Sequence, residues 1–150
     1  MIRAGSECKG DGIIYLAGPF FNEEELKVIQ KAEQILLERG FDIYSPRLHE
    51  DREHEFQSPQ WSAETFRMDR DAIDESRLVV MIYHGNYSDT GTAWECGYAY
   101  AKGKPVVAVQ VGESSNLMVH ESAIANIRLE DLADYDFDTL EEVRYEGIMF

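Results

Sequence analysis

The apolar positions of this chain fall into two patterns that alternate from the N-terminus onward. Short continuous apolar runs, each stopped by Gly, Pro or polar residues, are typical of strands buried on both faces of a parallel sheet. Such runs predict strands at residues 13–17, 41–44, 78–83, 104–109 and 126–129, the last as an edge or fifth strand.

Between these runs the apolar positions recur at helical spacing. Asn22 is a candidate N-cap for a helix that ends near Gly40, where a glycine suits the C-cap. Helices are also predicted over residues 62–74 and 92–102, with a short amphipathic segment at 116–123 and a charged loop at 47–62. This alternation predicts an α/β fold, with a doubly wound, flavodoxin-like, parallel five-stranded sheet and helices on both faces.

Length, charge and cysteine content narrow the possible roles. The chain has 150 residues, which fits one domain, predicted over residues 13–150 after a flexible polar leader at 1–12. Its formal net charge of -15 disfavours a nucleic-acid or anionic-membrane surface, because both need clustered Lys and Arg. No apolar run approaches the roughly 20 residues of a membrane span, and Cys8 and Cys96 are not expected to pair. We therefore predict a reduced, cytoplasmic protein.

The turn after the first strand disfavours two common α/β sites. It reads Ala-Gly-Pro-Phe-Phe over residues 17–21, without the glycines that a P-loop or a dinucleotide-binding turn requires. Phe20 and Phe21 instead suit an apolar, planar ligand, although either ring could simply cover the core. There is no Gly-x-Ser-x-Gly motif for a serine nucleophile. His49 and His54 have no third ligand nearby, so they are predicted to be solvated and no metal site is expected.

Carboxylates near predicted strand ends remain as candidates for chemistry: Asp69, Asp89 and Glu95. Ligands of open α/β sheets bind at the carboxyl ends of strands. Any one of these side chains could be a plain surface charge. Glu95 differs because its neighbours between residues 93 and 99 are Ala, Trp, Cys, Gly, Tyr and Ala. Apolar surroundings are costly for a carboxylate that is not paired or hydrogen-bonded, which favours a functional role.

Five segments, in order, carry a resemblance to a known family. They are Ile-Tyr-Leu-Ala-Gly-Pro-Phe-Phe from residue 14, Arg-Met-Asp-Arg-Asp-Ala-Ile-Asp around Asp69, Asp-Thr-Gly-Thr-Ala-Trp-Glu-Cys-Gly-Tyr-Ala from residue 89, Asn-Leu-Met from residue 116, and the closing Arg-Tyr-Glu-Gly-Ile-Met-Phe. Together they resemble nucleoside 2-deoxyribosyltransferases from about residue 13 to the last residue.

The resemblance implies transfer of 2-deoxyribose between nucleobases by double displacement, without metal or cofactor. Glu95 matches the family's nucleophile, Tyr15 would orient it by a hydrogen bond, and Asp69 would protonate the departing base and take the proton back. The implied partners are 2'-deoxyribonucleosides and free nucleobases.

The resemblance also implies the contacts to substrate. Phe21 would pack against the nucleobase, and Asp89 would bind the sugar 5'-hydroxyl. Asn116 and Met118 would come from a neighbouring subunit, and Phe150 would bring its free carboxylate to the site. A homo-oligomer, a hexamer built from dimers, is implied by such shared sites. Where the family often has a base-recognising Gln, this chain carries Arg, His and Glu at positions 47, 49 and 50.

Two alternatives remain open from the sequence. The first is an N-glycoside hydrolase of deoxynucleosides or of deoxynucleoside 5'-monophosphates, in which water replaces the acceptor base; for the monophosphates, Asp89 would repel the substrate's phosphate. The second is a non-catalytic, flavodoxin-like binding or signalling module, since a fold alone does not define a function.

Overall fold

The computed structural model describes residues 12–150. The predicted leader, including Cys8, therefore lies outside the described residues except for Gly12. The elements in chain order are β1 (Ile13–Ala17), α1 (Glu23–Glu38), β2 (Asp42–Tyr44), α2 (Pro59–Glu75), β3 (Ser76–Tyr83), α3 (Asp89–Ala101), β4 (Val106–Gln110), α4 (Leu117–Ser122) and β5 (Ala125–Arg128). Short 3-10 turns occupy Pro46–Leu48 and Leu129–Asp131. Within residues 12–150, no helix is long and apolar enough to cross a membrane.

The strands form one sheet in the order β2-β1-β3-β4-β5, and every neighbouring pair is parallel. The predicted doubly wound α/β fold is confirmed. The strand order reverses between β1 and β3, so the connections that leave these two strands diverge. A crevice at their carboxyl ends is where ligands of such sheets bind, and the segments after β1 and after β3 form its two sides.

The two faces of the sheet bury different helices. Ile14 and Leu16 of β1 point to the face covered by α1 and by the segment that follows β5, where Leu132 and Phe137 complete the core. Tyr15 and Ala17 point to the opposite face, which α2, α3 and α4 cover. This alternation follows from the two-residue period of a strand. It places Tyr15 on the face that carries α2 and α3.

Two helices begin earlier than the sequence pattern indicates. The helix expected from residue 62 begins at Pro59, because Ser58 caps it by accepting a hydrogen bond from the Trp61 backbone amide at 3.1 Å. A Ser cap stabilises a helix by about 1 kcal/mol, and Pro at the first helical position loses no intrahelical bond. The helix expected from residue 92 begins at Asp89. Both shifts add polar first turns that helical hydrophobic spacing does not detect.

The last residues of the chain run back along the sheet. Val143 forms an isolated parallel bridge to Ala125 of β5. Farther on, the Phe150 backbone amide donates to the Ser115 carbonyl oxygen at 3.2 Å. The Leu117 backbone amide donates to the main-chain oxygen of Phe150 at 3.0 Å. The C-terminus is thereby fixed beside the start of α4 while the Phe150 ring stays 80% exposed.

Candidate active site

A cavity of about 1000 Å³ lies at the carboxyl ends of β1 and β3. The turn after β1, the segment between β2 and α2, helix α2 and the first turns of α3 enclose it. Its charged lining includes two of the predicted catalytic residues, Asp69 from α2 and Glu95 from α3. Aromatic side chains form much of the remaining wall: Phe20, Phe21, Phe56, Trp61 and Tyr87.

Glu95 is a partly buried acid in the second turn of α3. Its Oε2 atom is inaccessible and has no hydrogen-bond partner among the described residues. Burial raises the pKa of this carboxyl to about 8, the negative charge of Asp69 adds to the rise, and the Tyr15 hydroxyl partly offsets it. At neutral pH Glu95 is therefore mostly protonated. An acid tuned this close to neutrality is typical of a catalytic group.

Asp69 projects from α2 toward the same cavity. Burial raises the pKa of its carboxyl to about 6, and the Tyr44 hydroxyl lowers it in part. The negative charge of Asp69 in turn raises the pKa of Glu95. The two carboxyls therefore titrate as a coupled pair that holds one proton between about pH 6 and about pH 8.

Tyr15 lies beneath the pair, on the sheet. Its ring is fully buried, and its hydroxyl has no partner at hydrogen-bond geometry within residues 12–150. The hydroxyl still faces Glu95 closely enough to lower the pKa of that carboxyl. Burial and the charges of Glu95 and Asp69 together raise the pKa of Tyr15 far above its ordinary value, so it stays a neutral hydrogen-bond donor. The structure thus brings all three predicted catalytic residues together.

The aromatic wall has two pairs of rings. Phe20 and Phe21 stack nearly parallel, with ring centroids 6.1 Å apart and an interplanar angle of 8°. Phe56 meets Trp61 edge to face at 4.9 Å. The Phe21 ring is 80% exposed and free to cover a planar ligand. Its backbone amide is held by the buried Glu25 carboxylate at 3.0 Å, which fixes the turn that presents the ring.

The remaining predicted residues lie elsewhere. Asp89, Asn116, Met118 and Phe150 line a second cavity of about 900 Å³ on the other side of the α3 N-terminus. Only Thr90 lines both cavities among the residues described. The sequence pattern had placed Asp89 in one site with Glu95, whereas the fold directs Asp89 to the neighbouring cavity within one chain.

Asp89 is a buried carboxylate whose two oxygens differ in their hydrogen bonds. It is 3% exposed, and its Oδ2 atom accepts hydrogen bonds from the backbone amides of Gly85 and Asn86, the latter at 3.3 Å. Its Oδ1 atom is inaccessible and unpartnered among residues 12–150. Burial raises the pKa of this carboxyl, and the backbone amides lower it in part. An unsatisfied buried acceptor costs about 1–3 kcal/mol unless a ligand group donates to it.

The histidines of the loop after β2 are not arranged for a metal. His49 stacks on Tyr44, with centroids 4.2 Å apart, and His54 pairs with Asp51 at 2.7 Å. Both are exposed, as predicted. No group of three or more His, Cys, Asp or Glu side chains that could hold a metal ion occurs in the part of the chain that the structure describes.

Tyr44 is the residue near the site that sequence reasoning missed. It stacks on Tyr15 at 5.6 Å and on His49, and its hydroxyl faces Asp69. The available signal was its position: like Tyr15, it lies near the carboxyl end of a predicted strand. Arg47, by contrast, is held by a bidentate ion pair to the buried Glu33, with its Nε at 2.7 Å from Oε1, and is absent from the cavity lining.

Comparison with known proteins adds independent findings. The model of the family described as nucleoside 2-deoxyribosyltransferase matches residues 14–129. A nucleoside deoxyribosyltransferase of Lactobacillus johnsonii is 32% identical over 95 residues, which span 61% of this chain and 64% of that protein. A protein of Thermofilum pendens named putative 2'-deoxynucleoside 5'-phosphate N-hydrolase 1 is 27% identical over 127 residues, spanning 82% of this chain and 87% of its own length.

Among solved structures, a 2-deoxyribosyltransferase from Bacillus psychrosaccharolyticus matches with a TM-score of 0.84 and 44% sequence identity. The match covers 89% of this chain and 98% of that chain. The similarity therefore extends over most of both chains.

Proposed function

Because this chain belongs to the nucleoside 2-deoxyribosyltransferase family, a family of glycosyl-transferring enzymes, we propose that it moves 2-deoxyribose from one nucleobase to another through a covalent intermediate on Glu95. The observation that carries the proposal is the coupled pair of Glu95 and Asp69 in one aromatic-walled cavity. A retaining glycosyl transfer needs one carboxylate as nucleophile and one carboxyl as acid and base. The substrates would be 2'-deoxyribonucleosides and free nucleobases.

In the first half-reaction, an oxygen of the Glu95 carboxylate forms a bond to C1' of the donor. The bond between C1' and the base nitrogen breaks, and its electron pair goes to the base. Asp69, protonated at this stage, gives its proton to the departing base. In the second half-reaction an acceptor nitrogen attacks C1', its proton passes to Asp69, and the bond to Glu95 breaks with its electrons returning to the carboxylate. Two inversions give net retention, and no metal or cofactor is used.

The scheme requires the shared proton on Asp69 and a charge on Glu95. The pKa values of about 6 for Asp69 and about 8 for Glu95 place the proton on Glu95 more often. Moving it to Asp69 costs about 2–3 kcal/mol, since each pKa unit corresponds to about 1.4 kcal/mol. The positive charge that develops at C1' in the transition state favours ionised Glu95 and offsets this cost. Tyr15, as a neutral donor facing Glu95, supports the same state.

The aromatic wall supplies the base-binding part of the proposal. The exposed Phe21 ring would stack on the nucleobase. Exposure of this apolar ring is unfavourable in the free protein, and a bound base would remove it from water. Phe21 and Asp69 line the same cavity, so a base stacked on the ring would lie in the cavity that holds the proposed acid.

A shared site would explain why the substrate-binding residues lie in a second cavity. Asn116, Met118 and Phe150 project outward there, at 72% exposure for the Met118 side chain and 80% for the Phe150 side chain. They would complete the Glu95 cavity of a neighbouring subunit. Asp89 would bind the 5'-hydroxyl of the sugar. The Asn116 Oδ1 atom accepts a hydrogen bond from the Met118 amide at 2.8 Å, so its amide nitrogen is left to donate to the sugar. A hexamer built from dimers is the assembly proposed, and light scattering tests it.

Transfer is tested by incubating the protein with 2'-deoxyinosine and adenine and separating the bases and nucleosides by chromatography. We expect 2'-deoxyadenosine and hypoxanthine in equal amounts. Glu95→Ala should abolish both products, whereas Glu142→Gln, at an exposed carboxylate, should not. Mass spectrometry of protein quenched with donor alone should show one deoxyribosyl unit on the peptide that contains residue 95. An adduct on another residue would refute the mechanism.

The alternative is hydrolysis of deoxynucleosides or of their 5'-monophosphates, which the Thermofilum relative's name favours. Water would then take the place of the acceptor base. A 5'-phosphate would meet the buried Asp89 carboxylate, and like charges at close range repel. In the chromatographic assay, free deoxyribose without a new nucleoside would support the hydrolase. The non-catalytic module considered from the sequence is not supported, since the family is one of enzymes.

A further inference from the structure

Tyr44 and Tyr15 are placed side by side by the sheet. In the parallel pairing of β1 with β2, Tyr15 is the register partner of Tyr44. Partners in register point to the same face of a sheet, here the face that α2 and α3 cover. The two rings stack at 5.6 Å with an interplanar angle of 12°. The phenol groups therefore extend in a common direction, toward the helices that carry Asp69 and Glu95.

A third ring fixes Tyr44 from its other side. The His49 imidazole stacks on it at 4.2 Å with an interplanar angle of 8°. Tyr44 is thus the middle ring of a column, Tyr15–Tyr44–His49, whose outer end reaches the cavity. A ring held on both faces has little freedom to rotate, so the position of its hydroxyl is determined by the fold.

Both phenol hydroxyls in the column are inaccessible, and neither has a partner at hydrogen-bond geometry in the part of the chain that the structure describes. A buried hydroxyl without a partner is unfavourable, so each is expected to bond to the acceptor it faces. For Tyr15 that acceptor is Glu95, and for Tyr44 it is Asp69. The column therefore pairs one phenol with each carboxyl of the site.

We propose that Tyr44 is a positioning residue for the reaction, which holds the Asp69 carboxyl toward the nucleobase by a hydrogen bond from its hydroxyl. The inference rests on the proposed function for its consequence, because Asp69 is there the group that gives and takes the proton. Tyr44 would orient Asp69 by a hydrogen bond, as Tyr15 would orient Glu95. The stacked rings would keep the two carboxyls at a fixed separation.

The hydroxyl of Tyr44 favours the ionised form of Asp69, since it donates to the carboxylate. The other titratable or charged groups that face this pair are Tyr15 from β1, His49 from the segment after β2, Arg67 from α2 itself and Glu95 from α3. Burial raises the pKa of Asp69 and Tyr44 counters it. Loss of the hydroxyl alone should therefore raise the pKa of Asp69 further, by about one unit for a hydrogen bond to a charged group.

The test is the Tyr44→Phe variant, which keeps the ring column and removes only the hydroxyl. Carboxyl ¹³C NMR of aspartate-labelled protein, with Asp69→Asn to assign the signal, reports the pKa of Asp69 without any need for turnover. We expect a rise of about one unit in Tyr44→Phe. The acid limb of the pH profile of kcat/KM for deoxyribosyl transfer should move to higher pH by a similar amount. Melting curves establish that the variant is folded.

Tyr98→Phe is the matched control. The Tyr98 hydroxyl also donates to an aspartate of α2, Asp74, at 2.7 Å, but outside the cavity lining. Its removal should leave the Asp69 signal and the pH profile unchanged. His49→Ala, which removes the outer ring but keeps the hydroxyl, should give an intermediate shift.

An Asp69 signal that titrates alike in the parent protein and in Tyr44→Phe would overturn the inference, whatever the activity. If Tyr44→Phe does not fold, an Asp69 signal unmoved in His49→Ala overturns it equally. A parent protein that forms no new nucleoside would instead refute the proposed function and leave the NMR result to decide the pairing. The two failures are therefore distinguishable.

Discussion

Replacing Glu95 with Gln should stabilise the protein at alkaline pH, because the native fold holds an acid that resists ionisation. Burial and the charge of Asp69 raise the pKa of Glu95 from its ordinary 4.5 to about 8. A raised acid pKa means that the native state retains a proton that the unfolded chain has already released. Stability is therefore unaffected below about pH 4.5, falls as the pH rises toward about 8, and levels off above it.

The size of this effect follows from the same shift. At about 1.4 kcal/mol per pKa unit, ionising Glu95 in the fold lowers the free energy of unfolding by at most about 5 kcal/mol. Part of that is shared with Asp69, so about 2–4 kcal/mol is the expected gain for Glu95→Gln at pH 8.5. For a domain of this size each kcal/mol raises the melting temperature by about 2–4 °C. The gain should therefore reach roughly 4–16 °C at pH 8.5 and vanish near pH 4.5.

Calorimetric melting of the parent protein and Glu95→Gln, at one protein concentration from pH 4.5 to 9, measures the difference directly. Glu142→Gln controls for the removal of an acidic charge from a strongly acidic chain, since that carboxylate is exposed. Its melting temperature should change little and without the same pH dependence. A Glu95→Gln gain that is constant with pH, or a loss of stability at pH 8.5, would refute the account of Glu95 as a buried, destabilised acid.

Three further results are expected from the site. The pH profile of kcat/KM should be bell-shaped, with apparent pKa values of about 6 and about 8: below the first both carboxyls are protonated and no nucleophile remains, and above the second no acid remains for the leaving base. A monotonic profile would contradict the shared proton. Asn116→Asp keeps the side-chain oxygen that caps α4 but removes the amide donor. The KM for 2'-deoxyinosine should therefore rise about tenfold, with little change in melting temperature. An unchanged KM would count against the shared site. A tag added after Phe150 should lower transfer, because the C-terminus is fixed beside Ser115 and Leu117, whereas an N-terminal tag serves as the control.

The resemblance predicted the roles of most site residues, and the family and fold are confirmed. The tertiary structure places Tyr15, Asp69 and Glu95 around one cavity. It separates Asp89, Asn116, Met118 and Phe150 into another. Segment order along the chain carries no information about which side of α3 a residue faces, so the sequence could not show this division.

The strands, the helices and the chemical types available at the strand ends could be predicted from the order of the amino acids. Continuous apolar runs and helical spacing are local properties, and they suffice to define a parallel sheet with helices on both faces. The strand register that sets Tyr44 beside Tyr15, and the burial that raises the pKa of Glu95, arise only in the folded chain. Both depend on contacts between segments far apart in the chain. The register depends on which strands pair, and the free energy of ionising a carboxyl depends on all the groups that surround it.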